Sequence, residues 1–312
     1  MMKEDSHFKG QLNNFEELYK TLDGLNMLFG MVREYLKQNK YSECIPLLQL
    51  LCKKYDEVAG EEHIDTIFSK YVLGQVYAEI GELEKAIEVF ESVAEKFQNQ
   101  FGKKYELVVD VKLRLVRLYI SEEIYIRAVD VLENLLIDIC DESESYKTNE
   151  VLIYDTYYEI VGILGSLYSV LEQHEDAIKM QIVTLDHLLE EHTNIYEKII
   201  TVDNFNVDPS KRDAIISACL DLGASYSRIN KYEEANSCFS KGYFIAFTAY
   251  GDNDERTLKQ SYDIAVNYIK MGELEDGYRV LTYIHQDMVK YLDENNKYTI
   301  KAANLLNCFT QE

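Results

Sequence analysis

A tyrosine recurs through this chain, each time three residues after a small or β-branched residue. The steps between successive copies are 42, 42, 49, 58 and 42 residues. A fixed internal period of this kind indicates one supersecondary unit repeated along the chain rather than a series of unrelated elements. The first residues of the six copies are Val32, Gly74, Val116, Gly165, Gly223 and Ala265, and the tyrosines are Tyr35, Tyr77, Tyr119, Tyr168, Tyr226 and Tyr268.

Two further sets keep the same register. Short turn-like stretches such as IGELEK (80–85) lie between the first small residue of each copy and a second small residue twelve positions later. Two antiparallel helices joined by a short turn approach closely only where both carry small side chains, so the spacing predicts six helical hairpins that stack because none can bury its apolar face alone. The second set is Cys44, Ala86, Ala128, Ala177, Ala235 and Gly277, and four positions further on come Leu48, Phe90, Leu132, Gln181, Phe239 and Leu281.

The segments VLGQVYAEIGELEKAIEVF (72–90) and DLGASYSRINKYEEANSCF (221–239) resemble the tetratricopeptide repeat. A step of 42 residues, longer than the usual ~34, resembles the kinesin-light-chain subtype, as do the linkers AGEEHIDT (59–66) and AYGDNDERT (249–257). The family's Trp and Pro positions are not matched, and Gln181 stands where an apolar residue is usual. The resemblance implies an all-α fold, a right-handed α-solenoid of about six hairpins with a capping helix at each end.

The register also predicts how the chain is divided. Residues 1–24 carry one apolar face and are predicted to form an N-terminal capping helix, and residues 301–312 a C-terminal one. Six repeats occupy residues 25–300 and begin near 25, 67, 109, 158, 216 and 258. The two long steps predict insertions near 141–150 and 190–211, which extend a loop or lengthen helices on one face of a solenoid.

Composition limits the class of partner. The formal net charge of −23 argues against binding nucleic acid or an anionic membrane, since both require clustered Lys and Arg. The N-terminus lacks the apolar stretch of a signal peptide, and no apolar run approaches the ~20 residues that span a bilayer. Six cysteines without close pairs do not indicate a disulfide framework, so we expect a cytoplasmic protein with reduced thiols.

No motif indicates catalysis, a cofactor or a metal. Phosphate-binding glycine motifs do not occur, and His187 and His192 are five residues apart rather than the four that would place both on one helical face. His63 lies among acidic residues, but its place in a linker favours helix capping over metal binding. A Cys–His pair that meets only in three dimensions stays open. We therefore expect no enzyme activity, no cofactor and no metal.

In the tetratricopeptide family the first helix of each repeat lines the concave groove. The resemblance therefore implies that basic, aromatic and amide side chains at the inward positions bind a peptide: Arg33, Lys37, Phe68, Tyr71, Gln75, Arg114, Arg117, Arg228, Lys259, Tyr262 and Lys270. Acidic residues at comparable positions are Glu79, Asp110, Glu159, Asp221 and Asp263. The groove is thus richer in positive charge than the whole chain, which suits an acidic peptide. The alternative is that the arginines pair with acids of neighbouring repeats.

Three functions follow from these patterns. The first is a non-enzymatic scaffold or adaptor that binds a protein or peptide in the groove. The second is a regulatory receptor for a small signalling peptide, without a DNA-binding output domain, against which only 24 residues precede the first repeat. The third, an enzyme, has no motif in support. The sequence predicts neither the partner's identity nor the oligomeric state.

Overall fold

The structure, a computed structural model, describes residues 20–103, 105–140, 150–189 and 207–309. This part of the chain is α-helical without a strand, which confirms the predicted all-α class. Its thirteen helices are α1 Leu22–Lys37, α2 Tyr41–Ala59, α3 Ile64–Glu79, α4 Leu83–Phe101, α5 Glu106–Ser121, α6 Tyr125–Cys140, α7 Glu150–Val170, α8 His174–Leu189, α9 Arg212–Arg228, α10 Tyr232–Tyr250, α11 Glu255–Met271, α12 Leu274–Tyr291 and α13 Lys297–Phe309.

The helices form two compact units, unit 1 (Met1–Ile153) and unit 2 (Tyr154–Glu312). In unit 1 each helix from α1 to α5 packs against the helix that follows it in the chain. In unit 2 the same holds for each helix from α8 to α12. In unit 2 the first helices of successive hairpins, α9, α11 and then α13, also contact each other. Stacking of hairpins in chain order is the arrangement of an all-α helical-repeat solenoid.

Every hairpin turns in the same way. Seven residues after each of the six leading positions, the backbone is left-handed, with φ between 56° and 87°. The next residue donates its backbone N–H to the carbonyl of the recurring tyrosine at 2.7–3.0 Å, which closes the end of the first helix. The same bond recurs at all six of these positions in the described residues, with the spacing of the sequence register. The left-handed residues are Asn39, Gly81, Glu123, Glu172, Asn230 and Gly272.

The recurring small residues are buried, but they do not simply face each other. A Cβ atom added to Gly74 would lie 2.8 Å from the ring of Phe90, and one added to Gly223 would lie 2.5 Å from the ring of Phe239. The first-helix glycine is therefore covered by the large residue one turn beyond the second small position. The aromatic ring thus needs the volume that glycine leaves open.

The side chains at the two positions of this pair differ in size from one hairpin to another. Where the first position is glycine in hairpins α3/α4 and α9/α10, its partner is phenylalanine; Val32 and Val116 instead precede Leu48 and Leu132 by sixteen residues. All four of these aliphatic side chains are fully buried. Hairpin α7/α8 combines Gly165 with Gln181, whose Cγ would lie 3.2 Å from an added Cβ. A larger first residue thus goes with an aliphatic partner instead of an aromatic ring, as close packing requires.

The linkers between repeats cap the helices that follow them. His63 Nδ1 accepts a hydrogen bond from the backbone N–H of Asp65, and Asp254 accepts one from Arg256 in the same way. His63 is thus a capping residue, as predicted.

The division into repeats stays a prediction where the structure does not describe the chain. Most of the proposed N-terminal cap (1–19), residues 141–149 of the first insertion and residues 190–206 of the second, with His192, lie outside the described residues. The last helix begins at Lys297, four residues before the predicted C-terminal cap. The right-handed twist also stays a prediction.

Candidate functional site

Each unit has a surface formed by the first helices of its hairpins, which we call its first-helix face: α1, α3 and α5 in unit 1, and α9, α11 and α13 in unit 2. Side chains from different helices meet on both faces. These contacts show which predicted groove residues are available to a ligand and which are committed to the fold.

In unit 1 a hydrogen-bonded cluster joins α3 and α5. The hydroxyl of Tyr71 and Nε of Arg114 both donate to Oδ2 of Asp110, at 2.7 and 2.8 Å. Gln75 Nε2 donates to the Tyr71 hydroxyl at 2.7 Å. Burial, and then the bond to Asp110, raise the pKa of Tyr71 to about 12. The charge of Arg114 is thus answered inside the repeat array, which supports the alternative of internal pairing for this residue.

An aromatic row continues the cluster toward α1. The ring of Phe68 lies 5.7 Å from Tyr71 and 6.0 Å from Phe29, centroid to centroid. The Arg33 guanidinium lies 5.5 Å from the Phe29 ring. Phe68 is half-buried, and Arg33 is exposed at the edge of the row. This surface can pack an apolar or cation-bearing side chain, with the exposed charge of Arg33 beside the rings.

The other predicted basic residues of unit 1 are also engaged. Lys37 Nζ lies 2.7 Å from Glu34, and both side chains are largely exposed. Arg117 is exposed on α5 and already takes part in an interaction of its own. Exposed pairs of this kind contribute little to stability and are readily exchanged for a ligand.

In unit 2 the first-helix face carries two lysines around one aromatic ring. Lys259 Nζ on α11 and Lys301 Nζ on α13 lie 5.4 and 5.5 Å from the centroid of the Tyr298 ring. Tyr262 meets the same ring edge-on at 6.0 Å. We call Lys259, Tyr262, Tyr298 and Lys301 the lysine–tyrosine cluster.

Within the described residues, the cluster's polar ends have no protein partner. No carboxylate lies within ion-pairing distance of Lys259 or Lys301, and the hydroxyls of Tyr262 and Tyr298 make no hydrogen bond there. Four donors of this cluster therefore lack an acceptor among the described residues. That is unusual in a chain with 55 acidic and 32 basic residues, where most surface cations can find an acid.

Two carboxylates lie on the same face. Burial raises the pKa of Asp263 on α11 to about 6, against the lowering influence of Lys259, Lys301 and Lys270. Burial also raises the pKa of Asp221 on α9, with Lys259 again opposing. Asp263 is therefore charged at neutral pH only at an energetic cost.

The remaining predicted residues of unit 2 have a structural explanation. Arg228 and Lys270 stand in the last turns of α9 and α11, where a cation complements the helix dipole. Lys270 Nζ also donates to Ser227 Oγ at 3.0 Å. Of the predicted acids, Glu79 and Glu159 are exposed at first-helix positions of units 1 and 2.

The sequence interpretation missed two features. Tyr298 and Lys301 belong to the end helix, which was treated only as a cap. The recurring tyrosine served only to define the repeat, but Tyr77 accepts a hydrogen bond from Gln49 (2.8 Å) and Tyr119 donates one to Glu91, each on the second helix of the preceding hairpin. The signal was present: Gln49 and Glu91 both lie seventeen residues after their leading residue.

A second concave feature lies between α4, α5 and α6 of unit 1. Its volume is about 380 Å³, and its lining includes Lys103, Lys112, Glu91 and Asp138. Both lysines hold the buried Asp138, at 3.0 and 3.1 Å. At the equivalent places of the preceding hairpin the charges are reversed, with Lys96 held by linker glutamates. The Lys103–Asp138 and Lys96–Glu61 pairs therefore tie the second helices α6 and α4 to the linkers that precede their hairpins, whereas Lys112 ties α6 to α5.

Other site classes find no support in the described part of the chain. No group of three or more His, Cys, Asp or Glu side chains there is arranged to hold a metal ion. Nor is any helix in that part both long enough and apolar enough to cross a membrane.

Comparison with known proteins identifies the repeat. Residues 69–95, in α3 and α4, match the family model of the tetratricopeptide repeat. The other hairpins share the turn and register of this matched hairpin. The hairpin of α3 and α4 is thus a tetratricopeptide repeat, as predicted, and a fold built of such repeats suggests a protein–protein interaction scaffold. The kinesin-light-chain subtype stays a prediction.

Solved structures with the same kind of fold are distant in sequence. BtubC (BKLC) from P. vanneervenii has 14% identity and a TM-score of 0.49, over 77% of this chain and 86% of that one. MamA from Desulfovibrio magneticus RS-1 has 17% identity and a TM-score of 0.45, over 72% and 97%. No curated protein matches the sequence significantly. Likenesses this distant carry no information about what this chain binds.

Proposed function

We propose that this protein is a non-enzymatic interaction scaffold that binds an acidic segment of a partner protein on the first-helix face of unit 2. The lysine–tyrosine cluster is the binding centre. Carboxylates of the segment accept from Lys259 and Lys301, and the tyrosines contribute hydroxyl donors and ring surface.

The observation that carries the proposal is the unanswered charge of the two lysines. Lys259 and Lys301 each stand at the fifth residue of their helices, near the N-terminal end, where the dipole disfavours a cation. Helix stability therefore does not explain them, in contrast to Arg228 and Lys270. Because both nitrogens lie within 5.5 Å of the centroid of one ring, neighbouring carboxylates of one acidic segment can reach both.

The acidity of the whole chain affects the rate at which an acidic segment associates more than it affects the contacts made at the binding site. A net charge of −23 repels an acidic segment at long range, and this repulsion is screened beyond a Debye length of ~8 Å at physiological salt. Contacts at the lysines act within that distance. A small local cationic centre on an acidic surface selects for carboxylates that arrive in the right geometry, because misplaced ones meet like charge.

Unit 1 offers a different kind of surface. In its aromatic row Phe68 packs near Tyr71, and the Tyr71 hydroxyl already accepts a hydrogen bond from Gln75. Arg33 is an exposed cation beside this row. We propose that this row contacts apolar or neutral parts of a partner, whereas acid recognition lies in unit 2.

Binding of a defined probe tests the proposal. A fluorescein-labelled peptide of alternating Glu and Gly is titrated with the protein, and anisotropy is compared with that of the same peptide carrying Gln. We expect the Glu peptide to bind and the Gln peptide not to bind. The double variant with Lys259→Gln and Lys301→Gln should bind the Glu peptide about tenfold or more weakly, since each charge-assisted contact contributes on the order of 1 kcal/mol.

A matched control separates the site from overall charge. Lys85 and Lys290 also lie near tyrosine rings, at 5.7 and 4.6 Å, but on the second helices α4 and α12. Lys85→Gln with Lys290→Gln removes the same charge and is expected to bind as wild type does. Equal weakening by both double variants, or no preference for Glu over Gln, would contradict the proposal.

A further inference from the structure

The cavity between α4, α5 and α6 of unit 1 is formed by one face of each helix. Each helix supplies three lining residues at positions i, i+3 and i+7, such as Lys112, Leu115 and Tyr119 on α5. Residues at this spacing share a helix face and span two turns, about 10 Å. The cavity is therefore a slot of about this length, and its volume of about 380 Å³ is within the range of small-molecule sites.

One end of the slot is basic. Asp138 on α6 has a side chain that is 9% exposed, and it is shared by Lys103 Nζ at 3.0 Å and Lys112 Nζ at 3.1 Å. The Lys112 side chain is itself only 14% exposed. Gln98 of α4 also lines the slot, and its amide makes no hydrogen bond among the described residues. Lys112 is thus a largely buried cation that shares its carboxylate with a second lysine.

The equivalent lysine of the preceding hairpin has a further carboxylate beside it. Lys70 on α3 occupies the same repeat position as Lys112. Its Nζ lies 3.0 Å from Oδ1 of Asp56 on α2, the second helix of the hairpin before it. Asp56 in turn occupies the repeat position of Gln98, since each follows its leading residue by 24 positions. A neutral amide therefore stands in the slot where the preceding hairpin junction has a carboxylate.

The middle of the slot is apolar and has room for a ligand. Ala94 of α4 and Leu115 of α5 line it, and both are buried. Ala94 is the smallest residue at its repeat position, where the other five copies carry Cys52, Leu136, Leu185, Tyr243 and His285. The small side chain of Ala94 thus leaves volume that a larger residue would fill.

The far end of the slot disfavours a second anion. Glu91 lines this end, where it accepts hydrogen bonds from the Tyr119 hydroxyl and, at 3.0 Å, from Nη1 of Arg127. A ligand carboxylate placed here would meet the carboxylate of Glu91, whose donors are already engaged. The slot therefore suits a molecule with one anionic end and an apolar body.

We propose that this slot binds a small aliphatic monocarboxylate, at a site separate from the lysine–tyrosine cluster. The ligand carboxylate accepts from Lys112 and from the amide N–H of Gln98, as the Asp56 carboxylate accepts from the equivalent lysine. The aliphatic chain packs on Ala94 and Leu115. Because Lys112 is largely removed from water, its charge-assisted bond to the ligand is stronger than the same bond at an exposed lysine.

Hexanoate is the probe, and a saturation-transfer NMR titration measures its binding to the full chain. We expect saturable binding with a Kd on the order of 1 mM, as is usual for a ligand of this size. Hexanamide has the same body without the charge and should bind at least about tenfold more weakly. Adipate, which carries a second carboxylate toward Glu91, should also bind more weakly than hexanoate.

Three variants locate the site. Gln98→Asp supplies from within the chain the carboxylate that Asp56 supplies in the preceding hairpin, and should weaken hexanoate binding at least about tenfold without lowering the melting temperature. Gln98→Asn shortens the side chain equally without adding charge, and should bind hexanoate nearly as wild type does. Ala94→Leu fills the middle of the slot and should abolish binding while the protein stays folded by circular dichroism.

Several results would overturn the assignment. These are no saturable hexanoate signal from wild type, equal binding of hexanamide, or undiminished binding by Gln98→Asp or Ala94→Leu. Adipate that bound as tightly as hexanoate would overturn the restriction to monocarboxylates. The Glu–Gly peptide should bind all three variants as it binds wild type, so this proposal and the scaffold function can fail independently.

Discussion

The exchange of volume between Gly74 and Phe90 makes a quantitative prediction about the hairpin core. A valine at position 74 would place its Cβ 2.8 Å from a ring carbon of Phe90, closer than real Cβ contacts come. The ring is 1% exposed and cannot move aside. Gly74→Val should therefore destabilise the protein by about 1–3 kcal/mol through overpacking.

Substitution of the partner residue, Phe90, underpacks the core instead of overpacking it. Phe90→Leu removes part of a buried ring and leaves a small cavity, which should cost on the order of 1 kcal/mol or more. Combining it with Gly74→Val recreates the pair that Val116 and Leu132 form at the equivalent places of hairpin α5/α6, where both are buried. The double variant should thus be more stable than the two separate losses predict, with a coupling energy of about 1–3 kcal/mol.

Urea denaturation followed by far-ultraviolet circular dichroism gives the four free energies of the cycle. Since repeat proteins can unfold in parts, hydrogen exchange of the amides in α3 and α4 should accompany it and report the local opening energy. Additive losses in both measurements would refute the idea that these two positions share one volume.

Three further outcomes are expected. Ala235→Leu should overpack a fully buried contact in hairpin α9/α10 and lower unfolding free energy by about 1–3 kcal/mol in urea; an unchanged value would place the register in error there. Tyr119→Phe removes a hydroxyl bonded to Glu91 and should cost about 1 kcal/mol in the same assay, with no loss refuting a stabilising role. Asp263→Asn should stabilise the free protein at neutral pH by up to a few kcal/mol, because the pKa of Asp263 is raised to about 6. Wild-type stability therefore falls as the pH rises from about 4 to about 6, whereas the variant's loses that component, as thermal melts at several pH values would show.

The sequence was sufficient for the fold because the repeat places constraints at each level. Glu123 and Glu172 are not residues whose type indicates a left-handed backbone, but their position seven residues into the copy does. Gly81 and Gly272 mark the turn in two copies, and the others follow by register. Periodicity thus contains information on local geometry that single-residue preferences lack.

The site could be predicted only to the level of a face. Register showed that Arg114 is directed to the first-helix side, but not whether its charge was already answered. The spacing of Asp110 and Arg114, four residues on one helix, was a readable signal of internal pairing. The contact of Tyr298 with Lys259 joins residues far apart in sequence, and no pattern within one repeat contains it.

The order of charges along the first helix explains why the two units differ. On α5 the acid comes first, and Asp110 closes onto Arg114 at 2.8 Å. On α11 the same two repeat positions hold Lys259 and then Asp263, and no such pair closes in the described residues. An acid N-terminal to a base at this spacing is the more favourable order, because both charges then agree with the helix dipole. In the reversed order Lys259 has no carboxylate partner on its own helix and can bind an external one. Within the described residues Asp263 has no paired cation, which disfavours its charged form. Exchanging Lys259 and Asp263 should therefore close the pair and abolish binding of the acidic probe with little loss of stability.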